Sequence, residues 1–456
     1  MDKQKKILVT VNVAVILVIM GGIALFMAFG KRPTVSNEER RNLAECPKFT
    51  IESYFKGDFT SDFAKFYNDT VPMRSTFKSF ISAFRAHLGV KYDGGVYIHG
   101  GIPDIESRPE KPANSSSSSK KPVVVVIPDP VDNTPSTSAD NESTGETSSS
   151  DKQPVELNPI EGEMSGTVFV LGDGRGLVMF YGSYSSGENY AKTLNEYKAR
   201  LGEKVNVYSM TVPTSTSFYL PEKYSNMTSS ESEHIDHING LLDGVIPVDA
   251  YSAIAAHTDE EIYLRTDNHW QSLGAYYAAE EFAKTAQVDF PMLNTDNFEY
   301  VSRDGYVGTL YGYSDYDQRI KDNPETFTYY KPKTEYTCAY YDHSLNYQYT
   351  GAMMLDIDGI AVNSWYLVNM CGDNYTVNIN TACKNGRRLL IVKDSYGDAL
   401  PAFLTSSFEE IWVVDMRYFE KSVLELAKNE GITDVLFTMN IESAAGSSQK
   451  NLANIM

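Results

Sequence analysis

Hydrophobic positions divide the chain into four stretches of different character. From Ile7 to Phe29 no side chain is ionisable, and these 23 residues, at about 1.5 Å each, reach across a bilayer core of about 30 Å. The run predicts a single transmembrane anchor (7–29), with residues 1–6 on the cytoplasmic side. A cleaved secretory signal is the alternative, but the run exceeds a typical signal core and MAFGKRP holds no small-x-small cleavage site. Lys3, Lys5 and Lys6 before the run and Lys31 and Arg32 after it favour that orientation only mildly. No second run of spanning length follows, so the expected location is the cell membrane, single-pass, with the bulk of the chain extracytoplasmic.

Residues 30–104 carry an amphipathic pattern, Phe63, Phe66 and Tyr67, then Phe77, Phe80, Ile81, Phe84 and Leu88. It predicts two helices divided by Pro72 that pack on the main domain. Residues 105–163 turn to Ser, Pro, Thr, Asp and Lys with almost no aromatics, the composition of a disordered linker or insertion. Val123–Ile127, a β-branched run within it, is either solvated linker or an added edge strand. In the last stretch, residues 164–456, short β-branched runs alternate with helical periods, which predicts an α/β domain on a mostly parallel sheet. Val205–Val212 and Val245–Val248 are expected strands. Leu389–Val392, Ile411–Val414 and Val435–Phe437 are three more, with a helix expected after the DSYGD that follows the first, and the helix before the last running from Glu420 to Lys428 with Gly431 to end it. The tyrosine-rich middle, about 298–380, suggests irregular strands and loops over a site, its tyrosines either stacking on carbohydrate or packed within the strands.

Composition narrows the partners. Sixty acidic against 40 basic residues leave a charge of −20, which argues against a nucleic-acid partner. Cys46, Cys338, Cys371 and Cys383 include no C-x-x-C pair, so neither a zinc site nor thiol redox chemistry is indicated; Cys371 and Cys383 either bridge or are ordinary buried thiols.

In an open parallel sheet, ligands bind beyond the carboxyl ends of the strands. That rule singles out Asp394, Ser395, Asp415, Arg417 and Asn440. TDNHW sets Asp267 and His269 two apart, just before a helix with Ala275, Ala278, Ala279, Phe282 and Ala286 on one face. A nucleophilic serine needs a base within hydrogen-bond reach and an acid to fix the base's tautomer; Asp267, His269 and Ser395 supply all three. Asn440 and the backbone N–H groups after Ser395 are candidate oxyanion donors. Arg417 is expected near the crevice, either meeting a substrate carboxylate or in a structural salt bridge; Trp270 either walls the site or packs in the core. His234 and His237 in ESEHIDH are a possible metal pair without further ligands nearby, or a solvated helix face.

TDNHW, KDSYGDALPAFL, EEIWVVDMRYF, SNEERRNLAECPKF and NDTVPMRSTFKSF together resemble the DHHW family of bacterial envelope proteins, from about Ser36 to about Ile441 apart from the linker. That family is similar in turn to the SGNH-hydrolase-like domains of the alginate O-acetyltransferases AlgX and AlgJ. The resemblance implies that Asp267 orients, His269 is general base and Ser395 is nucleophile, with Asn268 standing where the family has its first His. It implies a circularly permuted SGNH-hydrolase-like (flavodoxin-like) sheet with flanking helices, because the Asp-x-His precedes the serine strand, and Asn440 as the oxyanion asparagine.

The expected function is therefore a membrane-anchored O-acetyltransferase or esterase acting on cell-wall or secreted polysaccharide. It would need no metal or organic cofactor, and as a transferase it would need an acyl-exporting membrane partner. The first alternative is a non-catalytic polysaccharide-binding or scaffold module; a metal-dependent hydrolase using His234 and His237 is the second.

Overall fold

The continuous apolar runs near the C-terminus become the middle of an eight-stranded sheet because both of its faces are covered. In chain order its strands are β1 (Asn206–Val212), β2 (Ile246–Pro247), β3 (Tyr336–Tyr341), β4 (Tyr347–Gly351), β5 (Thr376–Thr381), β6 (Arg388–Lys393), β7 (Glu410–Asp415) and β8 (Asp434–Asn440). Their order across the sheet is β4-β3-β5-β7-β6-β8-β1-β2. The five from β7 to β2 run parallel, and β5, β3 and β4 extend the sheet antiparallel. The computed structural model describes residues 30–36, 41–87, 161–370 and 372–456, with scattered positions of a helix between 14 and 27.

Alternation along each strand divides the core in two. Leu389, Ile391, Ile411, Val413 and Leu436 face one apolar cluster; Leu390, Val392, Trp412, Val414, Val435 and Phe437 face the other. The helix Ser272–Ala286 covers the first face through Ala275, Ala278, Ala279, Phe282 and Ala286, as its period predicts. Tyr184–Leu201 and Val423–Asn429 cover the second, the latter capped by Ser422 and followed by Gly431 at φ 62°. In register, Lys393 stands beside Asp415 and Thr438, and Asn440 beside Val212, so the carboxyl ends of four strands meet along one edge.

One expectation changes and two gain detail. The segment after β6 is not one helix but a 3-10 turn, Ser395–Ala399, and a short helix, Pro401–Leu404, since Pro401 brings no N–H with which to continue. Of the two roles open for the tyrosine-rich middle, the structure gives packing within the strands. The stretch supplies the antiparallel side of the sheet and a hairpin, Phe298–Tyr306 with Glu325–Pro332, and buries Tyr306, Tyr329, Tyr330, Tyr340 and Tyr366. The main domain also starts before residue 164, because Gly162–Ser165 is a strand paired with Val168–Leu171.

Near the N-terminus three helices are described: α1 (Ile51–Lys56), α2 (Asp58–Asp69) and α3 (Arg74–His87), with Pro72 between the last two. Thr50 and Ser53 cap α1 reciprocally. Contacts with the main domain include the Lys78–Asp315 ion pair and Ser79 Oγ at 3.3 Å from the Tyr311 hydroxyl. Among the described residues no helix is long and apolar enough to cross a membrane; most of 7–29 lies outside them, as do Leu88, Val123–Ile127, nearly all of 105–163 and Cys371 with its expected pairing.

Candidate active site

The TDNHW loop is folded back on itself. A bridge pairs Tyr263 with Trp270, Leu264 N–H donates to the His269 carbonyl at 3.2 Å, and Gln271 N–H donates to the Ile262 carbonyl at 3.0 Å. Buried Glu325 holds the loop from below, accepting from the N–H groups of Arg265 and Thr266 (both 2.7 Å) and from Thr266 Oγ1 (2.5 Å). Burial raises the Glu325 carboxyl above its ordinary range although these donors pull it down.

Asp267 is fully buried, and its two oxygens face different ways. Oδ2 accepts from Thr309 N–H (2.8 Å), Thr309 Oγ1 (2.9 Å) and the Tyr306 hydroxyl (3.0 Å). Oδ1 accepts from His269 N–H at 3.2 Å and lies 2.6 Å from His269 Nδ1. A carboxylate only accepts, so Nδ1 carries the proton and Nε2 is left as an acceptor. Ser395 Oγ lies 2.8 Å from that Nε2. The two residues are 126 positions apart in sequence, and both are nearly buried, Ser395 being 8% exposed and His269 5%.

The serine turn is fixed just as firmly. Asp394 caps it, its Oδ1 accepting from Tyr396 N–H (3.0 Å) and its Oδ2 from Asn440 N–H (2.9 Å), which ties the end of β6 to the end of β8. Burial raises the Asp394 carboxyl above its ordinary range. The Tyr366 ring stacks on His269, centroids 3.9 Å apart and planes 11° from parallel. Its hydroxyl is 3.1 Å from the Ser395 carbonyl oxygen and 3.3 Å from that of Tyr396. Trp270 Nε1 donates to the Tyr366 hydroxyl (3.2 Å) and the Tyr396 carbonyl (3.1 Å), and the Tyr396 hydroxyl donates to the Asn268 carbonyl. Base and nucleophile thus belong to one clamped unit.

The other candidates fall in different places. Asn440 stands at the end of β8 with Oδ1 capping Ser443 N–H (2.8 Å), and its Nδ2 has no acceptor among the described residues. Trp270 is fully buried and clamps the turn from the core instead of walling an opening. Arg417 is taken up by an ion network: it donates to Asp415 Oδ1 (2.8 Å) and Asp373 Oδ1 (2.6 Å), and the same two carboxylates, with Asp398, surround Lys393. Of the two roles expected for Arg417, the structure therefore gives the salt bridge. Burial works against the Lys393 charge, yet the three carboxylates hold its pKa well above the usual lysine value, while burial raises Asp398 and Asp415 far above theirs.

Both ring nitrogens of His234 face backbone carbonyls, Ser230 at 2.9 Å and Gly182 at 3.2 Å, and His237 lies 3.4 Å from Glu188. Among the described residues no group of three His, Cys, Asp or Glu side chains could hold a metal, which leaves the metal-dependent alternative without a ligand set there. Sequence reasoning missed Glu325, Tyr306, Thr309 and Tyr366. All four are ordinary members of the aromatic and polar middle stretch, and no spacing relative to TDNHW or DSYG distinguishes them.

Comparisons with known proteins place the fold and the family. A DHHW family protein from Eubacterium siraeum DSM 15702 superposes with a TM-score of 0.62 and 42% identity, over 65% of this chain and 98% of that one. Bacillus cereus PatB1, solved with a sulfonyl adduct, gives a TM-score of 0.52 at 19% identity, over 65% of this chain and 99% of its own, a likeness of fold. The O-acetyltransferase domain of Pseudomonas putida AlgJ is met at a TM-score of 0.35 and 14% identity, over 64% of this chain and 98% of that one. No curated protein matches the sequence. The family model described as DHHW protein matches residues 39–414, from the helices at the N-terminus through TDNHW and DSYG to β7, and the chain belongs to the DHHW family.

Proposed function

We propose that the protein is an acyl-transfer enzyme of the serine type, an O-acetyltransferase or esterase acting on cell-wall or secreted polysaccharide. The single observation that carries this reading is the line of hydrogen bonds Asp267–His269–Ser395, assembled from two distant segments and buried from end to end. Ser395 Oγ attacks the acyl carbonyl as its proton passes to His269 Nε2, and the tetrahedral oxyanion meets Nδ2 of Asn440 and the N–H of Ser395, the N–H groups of Tyr396 and Gly397 being held by Asp394. Collapse returns the proton from His269 to the leaving alcohol and leaves an acyl ester on Ser395. A sugar hydroxyl (transfer) or water (hydrolysis) then gives its proton to His269 and attacks the ester carbonyl, and collapse breaks the bond to Ser395 Oγ, which takes the proton back from His269. Acetyl as the acyl group and polysaccharide as the substrate rest on the motif resemblance to AlgX and AlgJ, as does the reading of the sheet as a permuted SGNH-like fold.

The apolar run Ile7–Phe29 supports a single-span anchor with the catalytic domain outside the cell, and one span cannot itself carry acetyl groups across the bilayer. As a transferase the protein therefore works with an acyl-exporting membrane partner. The test is intact-mass analysis after brief exposure to an activated acetyl ester, for the wild type, Ser395→Ala and His269→Ala. One acetyl adduct on Ser395, missing from both variants, is the expected result. An unmodified wild type that releases alcohol no faster than the variants, while still binding glycan, would favour a binding or scaffold module.

A further inference from the structure

The N-terminal helices turn large apolar side chains outward. Phe49, Ile51, Phe55, Phe63, Phe80 and Phe84 are all exposed, Phe55 by 83% and Phe80 by 68%. Ring contacts run from Phe55 through Tyr54, Phe49 and Phe59 to Phe63, and exposed apolar side chains grouped in this way mark an interaction site. Its position says what covers it, because the apolar run 7–29 is fastened to the turn between α2 and α3. Gly30 N–H donates to the Phe26 carbonyl at 2.7 Å, and Arg32 donates both to the Met27 carbonyl (3.4 Å) and to Thr70 Oγ1 (3.0 Å). The Arg32 guanidinium lies over the rings of Phe66 (5.3 Å) and Tyr67 (4.7 Å), and a Cβ on Gly30 would come within 3.0 Å of the Pro72 ring.

Charge points the same way. Residues 30–87 hold ten basic and seven acidic side chains in a chain whose net charge is −20, so this short region is cationic in an acidic protein. Aromatic side chains interspersed along the sequence with lysine and arginine are the composition of helices that lie in the headgroup layer of an anionic membrane.

We infer that α1, α2 and α3 dock on the surface of the bilayer that holds residues 7–29, with the aromatic face in lipid. The inference rests on the anchor reading given above, and it adds a second, peripheral attachment with a consequence for the active site. α3 meets the main domain through Lys78–Asp315 and Ser79–Tyr311, and the same segment begins with Thr309, which bonds Asp267. A hairpin held at the membrane therefore sets the height and tilt of the Ser395 cleft above the bilayer, where a wall polymer or an exporting partner would present its acyl group.

The test uses the full-length chain in vesicles of phosphatidylcholine and phosphatidylglycerol, with ordinary or brominated acyl chains. Phe55→Trp and Phe80→Trp each place an indole on the face, and Leu241→Trp places one at an exposed point of the main domain. The native tryptophans, Trp270, Trp365 and Trp412, are all buried in that domain. The expected result is blue-shifted emission from both face variants and loss of intensity in brominated vesicles, with Leu241→Trp and the parent chain unquenched. If the chain floats with the vesicles while both face variants stay unquenched, docking is overturned, and a second copy of the chain or residues 88–160 cover the face. If the chain fails to float, the anchor reading falls and docking with it, so flotation separates the two failures.

Discussion

Asp267→Asn is the sharpest perturbation of the site, because the hydrogen bonds decide in advance how the new amide must sit. Oδ2 of Asp267 is surrounded by three donors, Thr309 N–H, Thr309 Oγ1 and the Tyr306 hydroxyl. An amide NH2 in that place would face donors, so the asparagine turns its carbonyl there and its NH2 toward His269. Nδ1 of His269, 2.6 Å from the present Oδ1, then becomes the acceptor, and the proton moves to Nε2. Nε2 faces Ser395 at 2.8 Å and in that tautomer cannot take the serine proton. Loss of a triad aspartate by this route lowers kcat by about 10⁴-fold, or ~5.4 kcal/mol of barrier. The volume is unchanged and the three donors keep their acceptor, only the His269 N–H at 3.2 Å losing its own, so stability should fall by no more than about 1–3 kcal/mol. The assay is turnover of a chromogenic acetyl ester, corrected by Ser395→Ala, beside a thermal melt. A variant that melts with the wild type and keeps more than about a tenth of its kcat would refute the tautomer argument and Asp267's place in the mechanism.

Gly308→Ala tests the same carboxylate sterically: its Cβ would lie 2.5 Å from both Cβ and Oδ2 of Asp267 and 2.8 Å from the Thr266 carbonyl, so activity should fall more than about tenfold with ~1–3 kcal/mol of destabilisation. Unchanged ester turnover would mean that the loop gives way without moving Asp267. Lys393→Met leaves Asp373, Asp398 and Asp415 with Arg417 alone and should destabilise the fold by about 3–5 kcal/mol near neutral pH, less in acid as the carboxyls take up protons; denaturant titration at two pH values checks both parts. Burial pushes the Glu231 carboxyl up to about 7. Between its unfolded value near 4.3 and about 7 the native chain therefore binds the extra proton, and stability falls as pH rises through that window, by on the order of 3 kcal/mol. Glu231→Gln, which can still accept from Thr214 N–H and donate to Thr214 Oγ1, should gain on the wild type by this amount between about pH 5 and pH 8, and a constant difference in unfolding free energy would contradict the assignment.

Local chemistry made much of this legible before any coordinates. β6, β7 and β8 are apolar on both faces, so their strands were visible as unbroken runs, and their carboxyl ends pointed to Ser395 and Asn440. The helix Ser272–Ala286 showed its buried stripe at helical spacing. Asp267 and His269 are close in sequence, and Ser395 follows a strand, so their types and positions alone suggested a nucleophile with its base and acid. Other features depend on distant neighbours. That His269 reaches Ser395, that Tyr366 stacks on the imidazole, and that Glu325 and Thr309 hold the Asp267 loop are contacts across 29 to 126 positions of chain. Nothing in a tyrosine, threonine or glutamate announces such a partner. Arg417 shows the limit most plainly: its place after β7 leaves a substrate contact and a structural salt bridge equally open, because a guanidinium binds whichever carboxylates the fold brings to it, and here those are Asp373 and Asp415. Sequence by itself determined the periodic elements and the inventory of reactive groups, because both depend on neighbours along the chain; the tertiary structure alone decided which groups face each other, because hydrogen bonds and ion pairs depend on distance in space.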